Sequence, residues 1–246
     1  MELTNILLTG ITGFIGSELA HKLIILGYNV YGLIRPDSHH ELNVLTDIVD
    51  KVRLLEGDLA DYHSVLSATK AAKPDFILHL GAITPVRLSF EKPFSYIETN
   101  ARGSANVIHA VIETTPQARL IISSTAEVYG WQDMRSPLSE ETGLRPMSPY
   151  AVSKLFADCY AQMAGKAYGL RYTVLRPSNS YGRKLNKSYI VEYLVTAMLS
   201  GHDVFVGAPD SVRDYMHISD HIEGFLAAMK SDKAEGQVLN LSTSVA

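Results

Sequence analysis

Cysteine is almost missing from this chain: Cys159 is the only one among 246 residues. An internal disulfide is excluded, and a cytoplasmic protein is the expectation. Cys159 falls in a helical pattern, which reads as a buried structural thiol rather than a nucleophile. A dominant charge is missing too. The 22 Lys and Arg face 26 Asp and Glu, and the net charge of -4 leaves no basic footprint for nucleic acid. No apolar run reaches the length of a membrane span. The first strand-like run starts at Asn5, so no leader peptide is expected. Metal-ligand spacing is absent as well. His39-His40 reads as a solvated loop pair, and no metal is expected. There is no internal repeat, low-complexity tract or long linker.

What is present begins at Thr9-Gly10-Ile11-Thr12-Gly13-Phe14-Ile15-Gly16, directly after the apolar run Ile6-Leu7-Leu8. Strand, glycine turn, helix is the order a dinucleotide site needs. One glycine permits the tight turn, another lets backbone approach a pyrophosphate, and the third lets helix and strand pack closely. The helix N-terminus then offers unpaired N–H groups and a positive dipole end to phosphate.

Short runs rich in Ile, Leu and Val predict strands at Asn5–Thr9, Asn29–Arg35, Val52–Glu56, Phe76–Leu80, Leu120–Ser124 and Tyr172–Arg176. Between them, helical spacing predicts Phe14–Leu26, Tyr62–Ala72, Phe94–Glu113 and Pro149–Tyr168. The alternation implies an α/β, Rossmann-type doubly wound parallel sheet. Residues 1–176 form that NAD(P)-binding domain in this reading. Residues 177–246 form a smaller C-terminal substrate lobe over the carboxyl end of the sheet. Helices at Tyr189–Leu199 and His221–Met229 and strands at Val204–Val206 and Val238–Leu241 are expected there.

A second constellation adds chemistry. Tyr150 and Lys154 lie one helical turn apart after Ser148-Pro149, and Ser123-Ser124-Thr125 ends the fifth strand. A free phenol is too basic to act at neutral pH. A neighbouring ammonium and a positive nicotinamide ring both favour the phenolate. Thr125 is placed to hold the substrate oxygen while Tyr150 moves its proton.

These motifs resemble those of the extended short-chain dehydrogenases/reductases, within them the nucleotide-sugar epimerases and dehydratases. The resemblance runs through Gly57-Asp58-Leu59, Leu80-Gly81-Ala82, Ser123 to Gly130, Arg176 to Gly182 and Arg213-Asp214-Tyr215. It implies a catalytic set of Thr125, Tyr150 and Lys154, with Asp58 at the adenine. It implies cofactor contacts from Gly10, Thr12, Gly13, Phe14, Ile15, Gly16, Leu59, Leu80, Gly81 and Ala82. Thr84 would lie near the sugar, Asn179 and Arg213 at the diphosphate, and Asn100 would support the active-site lysine. The substrate implied is a nucleotide-diphospho-sugar, and the assembly a homodimer through Phe94–Glu113 and Pro149–Tyr168. The family members compared are longer, so part of the substrate lobe is expected to be missing.

Cofactor and reaction turn on single residues. Arg35 ends the second strand where a 2′-phosphate would lie, and Ser38 adds a hydroxyl. That segment is similar to the one in GDP-mannose 4,6-dehydratases, and favours NADP. Asp37, turned inward, would serve NAD instead. Glu127 occupies the position where the family's 4,6-dehydratases place the base for the C5 proton. Ala126 departs from them, since they carry Asp or Ser there. Dehydration is the first reading, 4-epimerisation the second (as in UDP-glucose 4-epimerases) and 4-ketosugar reduction the third. A non-catalytic NADP-binding regulator is a fourth, and the intact Thr125, Tyr150 and Lys154 oppose it.

Overall fold

Along Ile6-Leu7-Leu8 successive side chains point to opposite faces of a strand, and all three are buried. That requires layers on both sides. The computed structural model describes residues 4–132, 137–183, 189–207 and 210–245, with the side chains of residues 39 and 40 outside the description. Its strands are β1 Asn5–Thr9, β2 Asn29–Ile34, β3 Val52–Glu56, β4 Phe76–His79, β5 Arg119–Ser123, β6 Arg171–Pro177, β7 Asn179–Tyr181, β8 Tyr215–His217 and β9 Val238–Leu241. Seven of them form one parallel sheet in the order β3-β2-β1-β4-β5-β6-β9, while β7 and β8 pair separately. The chain runs outward from β1 to β3, then returns to β4 beside β1. A crevice opens at that reversal, outside the carboxyl ends of the strands.

The helices are α1 Phe14–Ile25, α2 Tyr62–Ala72, α3 Val86–Glu91, α4 Pro93–Tyr96, α5 Gly103–Thr114, α6 Pro149–Tyr168, α7 Ile190–Leu199 and α8 Ile218–Lys230. One face of the sheet packs Ile6 and Leu8 with Leu19 and Leu23 of α1 and Phe225 of α8. The other packs Leu7 and Ile77 with Ile108 of α5 and Ala161 of α6. Local chemistry fixes the helix ends. Ser148 Oγ accepts from Ala151 N at the start of α6, Pro149 fits the first turn, and Gly169 ends the helix in left-handed backbone.

The doubly wound sheet is as expected, and several details differ. The long helix expected at Phe94–Glu113 is interrupted by a π-helical segment, Ile97–Arg102, between α4 and α5. Val204–Val206 forms no strand, and Phe205 is 88% exposed. The extra pairing is β7 with β8. Helix α8 starts at Ile218, not His221, because His217 Nδ1 accepts from Ser219 N. His39–Leu45 is a 3-10 helix rather than a loop, and Cys159 is exposed rather than buried. Beyond Pro177 the chain serves two places. Helix α8 and β9 complete the main layers, while β7, β8 and α7 stand beside the crevice. No helix among the described residues is long and apolar enough to cross a membrane.

Candidate active site

The crevice is built on backbone contact. Gly10 has φ +72°, and a Cβ there would meet Gly81 Cα at 2.8 Å. A Cβ on Gly16 would lie 2.0 Å from the Gly10 carbonyl oxygen. Glycine therefore lets α1 descend onto the end of β1, with Gly13 N donating to Gly10 O at 2.9 Å. The first N–H groups of α1 have no partner in their own helix and face a cleft of about 2000 Å³. Gly10, Thr12, Gly13, Phe14, Ile15 and Gly16 line it. So do Arg35, Asp58, Leu59, Leu80 and Ala82. Gly81 does not line it; its N–H donates to Thr9 Oγ1 at 3.0 Å and closes the seam between β1 and β4. The glycine cradle suits a dinucleotide pyrophosphate, since any Cβ at Gly10 or Gly16 would block the turn.

A buried relay braces that seam. Ser104 Oγ donates to Asn100 O, so it accepts from His79 Nε2 at 2.9 Å. His79 Nδ1 then accepts from Thr9 Oγ1 at 2.8 Å, which leaves Thr9 to accept from Gly81 N. One neutral tautomer satisfies the whole set. Burial lowers the His79 pKa to about 3, and the Lys154 charge acts in the same direction.

The reacting groups meet at the end of β5. Thr125 is extended, and its Oγ1 accepts from Glu127 N at 3.2 Å, opening the short 3-10 turn Ala126–Tyr129. Tyr150, in the first turn of α6, has its phenol against the Thr125 hydroxyl and its ring edge-on to Tyr96. Burial pushes the Tyr150 phenol well above its usual range; the Thr125 hydrogen bond works against this and the Glu127 charge adds to it. The direction opposes the one expected from Lys154: desolvation is the largest cause, and the ammonium is not among the groups that shift the phenol. Lys154 is itself buried, which lowers its pKa to about 8 against the pull of Asp158. Asn100, in the π-helical segment, accepts from Ile83 N and donates to Ile83 O and Ser153 Oγ. It thus ties the loop after β4 to the residue beside Lys154.

The roof holds the substrate-side residues. Thr84 Oγ1 lies 3.1 Å from Tyr189 OH. Asn179, in β7, lines the cleft. Arg213 does not: it is exposed, and its Nη1 donates to Val212 O. Arg183 does line the cleft, and its guanidinium stands 4.4 Å from the Phe14 ring centroid and 3.7 Å from that of Tyr189. Glu192 Oε1 accepts from Gly182 N and Arg183 N and lies 3.7 Å from Arg183 Nη1. Glu192 Oε2 and His221 Nε2 are buried without hydrogen-bond partners among the described residues.

The model of the family described as GDP-mannose 4,6 dehydratase matches residues 7–246. The chain belongs to the GDP-mannose 4,6-dehydratase family. The human dTDP-D-glucose 4,6-dehydratase is 28% identical over 98% of this chain and 69% of its own length. The UDP-glucose 4-epimerase of Thermotoga maritima, solved with UDP-glucose, superposes with a TM-score of 0.87 at 30% identity, covering 98% of this chain and 77% of that one. The dTDP-glucose 4,6-dehydratase of Bacillus anthracis, solved with NAD, gives 0.86 at 28% identity, covering 97% and 75%. This member of the GDP-mannose 4,6-dehydratase family spans about two thirds of the length of its sequence relatives.

Some shared motifs in this family member are structural. Arg176 Nε and Asp158 Oδ2 form a buried ion pair at 2.8 Å, and Arg176 Nη1 donates to Tyr129 OH. Tyr129 passes the chain on to Asn240 of β9. Sequence reasoning missed Arg183, Glu192, His221 and Glu41 as cleft residues. For Arg183 a signal existed, since it directly follows the Arg176 to Gly182 motif. Nothing in the spacing marks Glu192, which reaches Arg183 only because α7 folds back.

Proposed function

We propose that this chain modifies a nucleoside-diphosphate sugar through a 4-keto intermediate, and that the reaction is 4,6-dehydration. The observation that carries it is Glu127, in the cleft wall and close enough for its charge to act on Tyr150. A bound nicotinamide supplies the hydride acceptor at C4 and, when oxidised, a positive charge that draws Tyr150 back toward the phenolate. Tyr150 then takes the proton of the C4 hydroxyl, with Thr125 Oγ1 holding the same oxygen. The new ketone acidifies the C5–H; the Glu127 carboxylate would take that proton and pass it to the C6 hydroxyl, which leaves as water. Return of the C4 hydride to C6 and of a solvent proton to C5 would complete the 4-keto-6-deoxy product. Lys154 keeps positive charge beside this set.

The cofactor proposed is NADP, from Arg35 and Ser38 at the end of β2. NAD is the group held by the B. anthracis dehydratase. Thr84, Asn179 and Arg213 are proposed for the sugar and its diphosphate, with Arg213 reaching in from the rim. A homodimer through α4–α5 and α6 is proposed, since Phe94, Val152 and Phe156 are exposed there. A second reading, 4-epimerisation, is favoured by Ala126, which offers no acid to a leaving C6 hydroxyl. Incubation with UDP-, GDP-, CDP- and dTDP-sugars, with products analysed by mass, separates the two. Loss of water supports dehydration, and an isomer of unchanged mass supports epimerisation.

A further inference from the structure

We propose that Glu41 sets the balance between NADP and NAD in this chain, an inference that rests on the dinucleotide reading of the cleft. Glu41 belongs to the 3-10 helix His39–Leu45, beyond the strand end where a ribose-binding side chain is ordinarily sought. Two contacts draw it back. Thr12 Oγ1, in the glycine turn, donates to Glu41 Oε2 at 2.9 Å. Arg35 Nη2, just past β2, lies 3.6 Å from Glu41 Oε1. The carboxylate therefore spans the gap between the phosphate-binding turn and the strand end. That gap is where the adenosine 2′ substituent of a dinucleotide belongs. Thr12, Arg35, Ser38 and Glu41 all line the cleft.

The two side chains favour opposite cofactors. A carboxylate accepts a hydrogen bond from a ribose 2′-hydroxyl and repels a 2′-phosphate. A guanidinium binds the phosphate through paired N–H groups. Here Arg35 is already engaged: Nε donates to Ser38 Oγ at 3.1 Å and stands 3.6 Å from Asp37 Oδ1. Its carboxylate contacts are long and half-exposed, so a phosphate can displace them. Glu41 cannot be displaced without giving up Thr12. Arg35 alone would make this chain selective for NADP; Glu41 holds that selectivity down.

Glu41→Gln tests this directly, because an amide oxygen still accepts from Thr12 while the charge is lost. NADPH and NADH affinities are measured by fluorescence titration of the whole chain. The comparison covers the parent, Glu41→Gln, Arg35→Ala and the double variant. Glu41→Gln is expected to tighten NADPH about tenfold with NADH changed by less than about threefold, the scale of a removed like charge. In the Arg35→Ala background a gain for NADPH should persist, because the repulsion acts on the phosphate directly. Glu41→Ala, which also breaks the Thr12 contact, should shift the ratio the same way. A ratio within twofold of the parent's in Glu41→Gln, or an equal gain for both nucleotides, overturns the inference alone. A parent chain that binds neither nucleotide overturns the dinucleotide reading as well.

Discussion

On the β1–β4 side of the cleft, Thr9, His79, Ser104 and Asn100 all hand hydrogen bonds to one another or to backbone. On the roof, Glu192 Oε2 and His221 Nε2 are buried with no hydrogen-bond partner among the described residues. A buried polar atom left unpaired costs about 1–3 kcal/mol. The β1–β4 seam is thus finished before any ligand arrives, whereas the roof, and Ser124 Oγ just past β5, hold polar groups in reserve. The difference fits the division of labour in a doubly wound fold. A dinucleotide asks the same thing of every floor, while a substrate lobe is built for one sugar nucleotide.

The largest expected effect lies where the two sides meet. Tyr150→Phe keeps the ring and removes the proposed proton carrier. Turnover should fall by about two to four orders of magnitude, with dinucleotide affinity retained. Near-normal turnover in a steady-state assay would break the assignment of floor and roof to one reaction.

Acid unfolding sharpens the contrast next. Burial holds His79 near pKa 3 and His221 near pKa 4, in the second case with help from the Arg183 charge. The unfolded chain therefore binds these protons first as pH falls through about 6.5, and stability is lost from there down to the folded values. Between pH 7 and 5 each contributes a loss of about 2 kcal/mol, read from urea midpoints. His221→Phe should remove its share and cost less at neutral pH than His79→Phe. The latter leaves Thr9 and Ser104 without their partner. Equal costs at neutral pH would erase the distinction between floor and roof.

The smallest effect concerns Arg183. Arg183→Gln should weaken a nucleoside diphosphate about tenfold in calorimetry and leave NADH unchanged, as loss of a charge-assisted contact would. An equal loss for both ligands would assign Arg183 to the floor instead.

The same contrast governs how much the sequence discloses. The glycine turn, the Thr125–Glu127 turn and the Tyr150–Lys154 pair are local, and their spacing alone carries them. All of them line the cleft. Strand ends were legible to within a residue or so because apolar runs stop where the sheet stops. The roof was not legible, since Glu192 meets Arg183 and Tyr189 meets Thr84 through tertiary folding. The raised phenol of Tyr150 was missed for a related reason. Proximity to Lys154 can be read from spacing, whereas depth of burial cannot. The π-helical segment at Ile97–Arg102 likewise leaves no mark in the apolar periodicity, though it positions Asn100.

The central claim is that oxidation at C4 lets Glu127 take the C5 proton. Turnover of an accepted nucleotide sugar in heavy water, with the product read by NMR, tests it most directly. The account predicts deuterium at C5 in the parent and neither that label nor loss of water in Glu127→Gln. An active parent whose product keeps protium at C5 would contradict it.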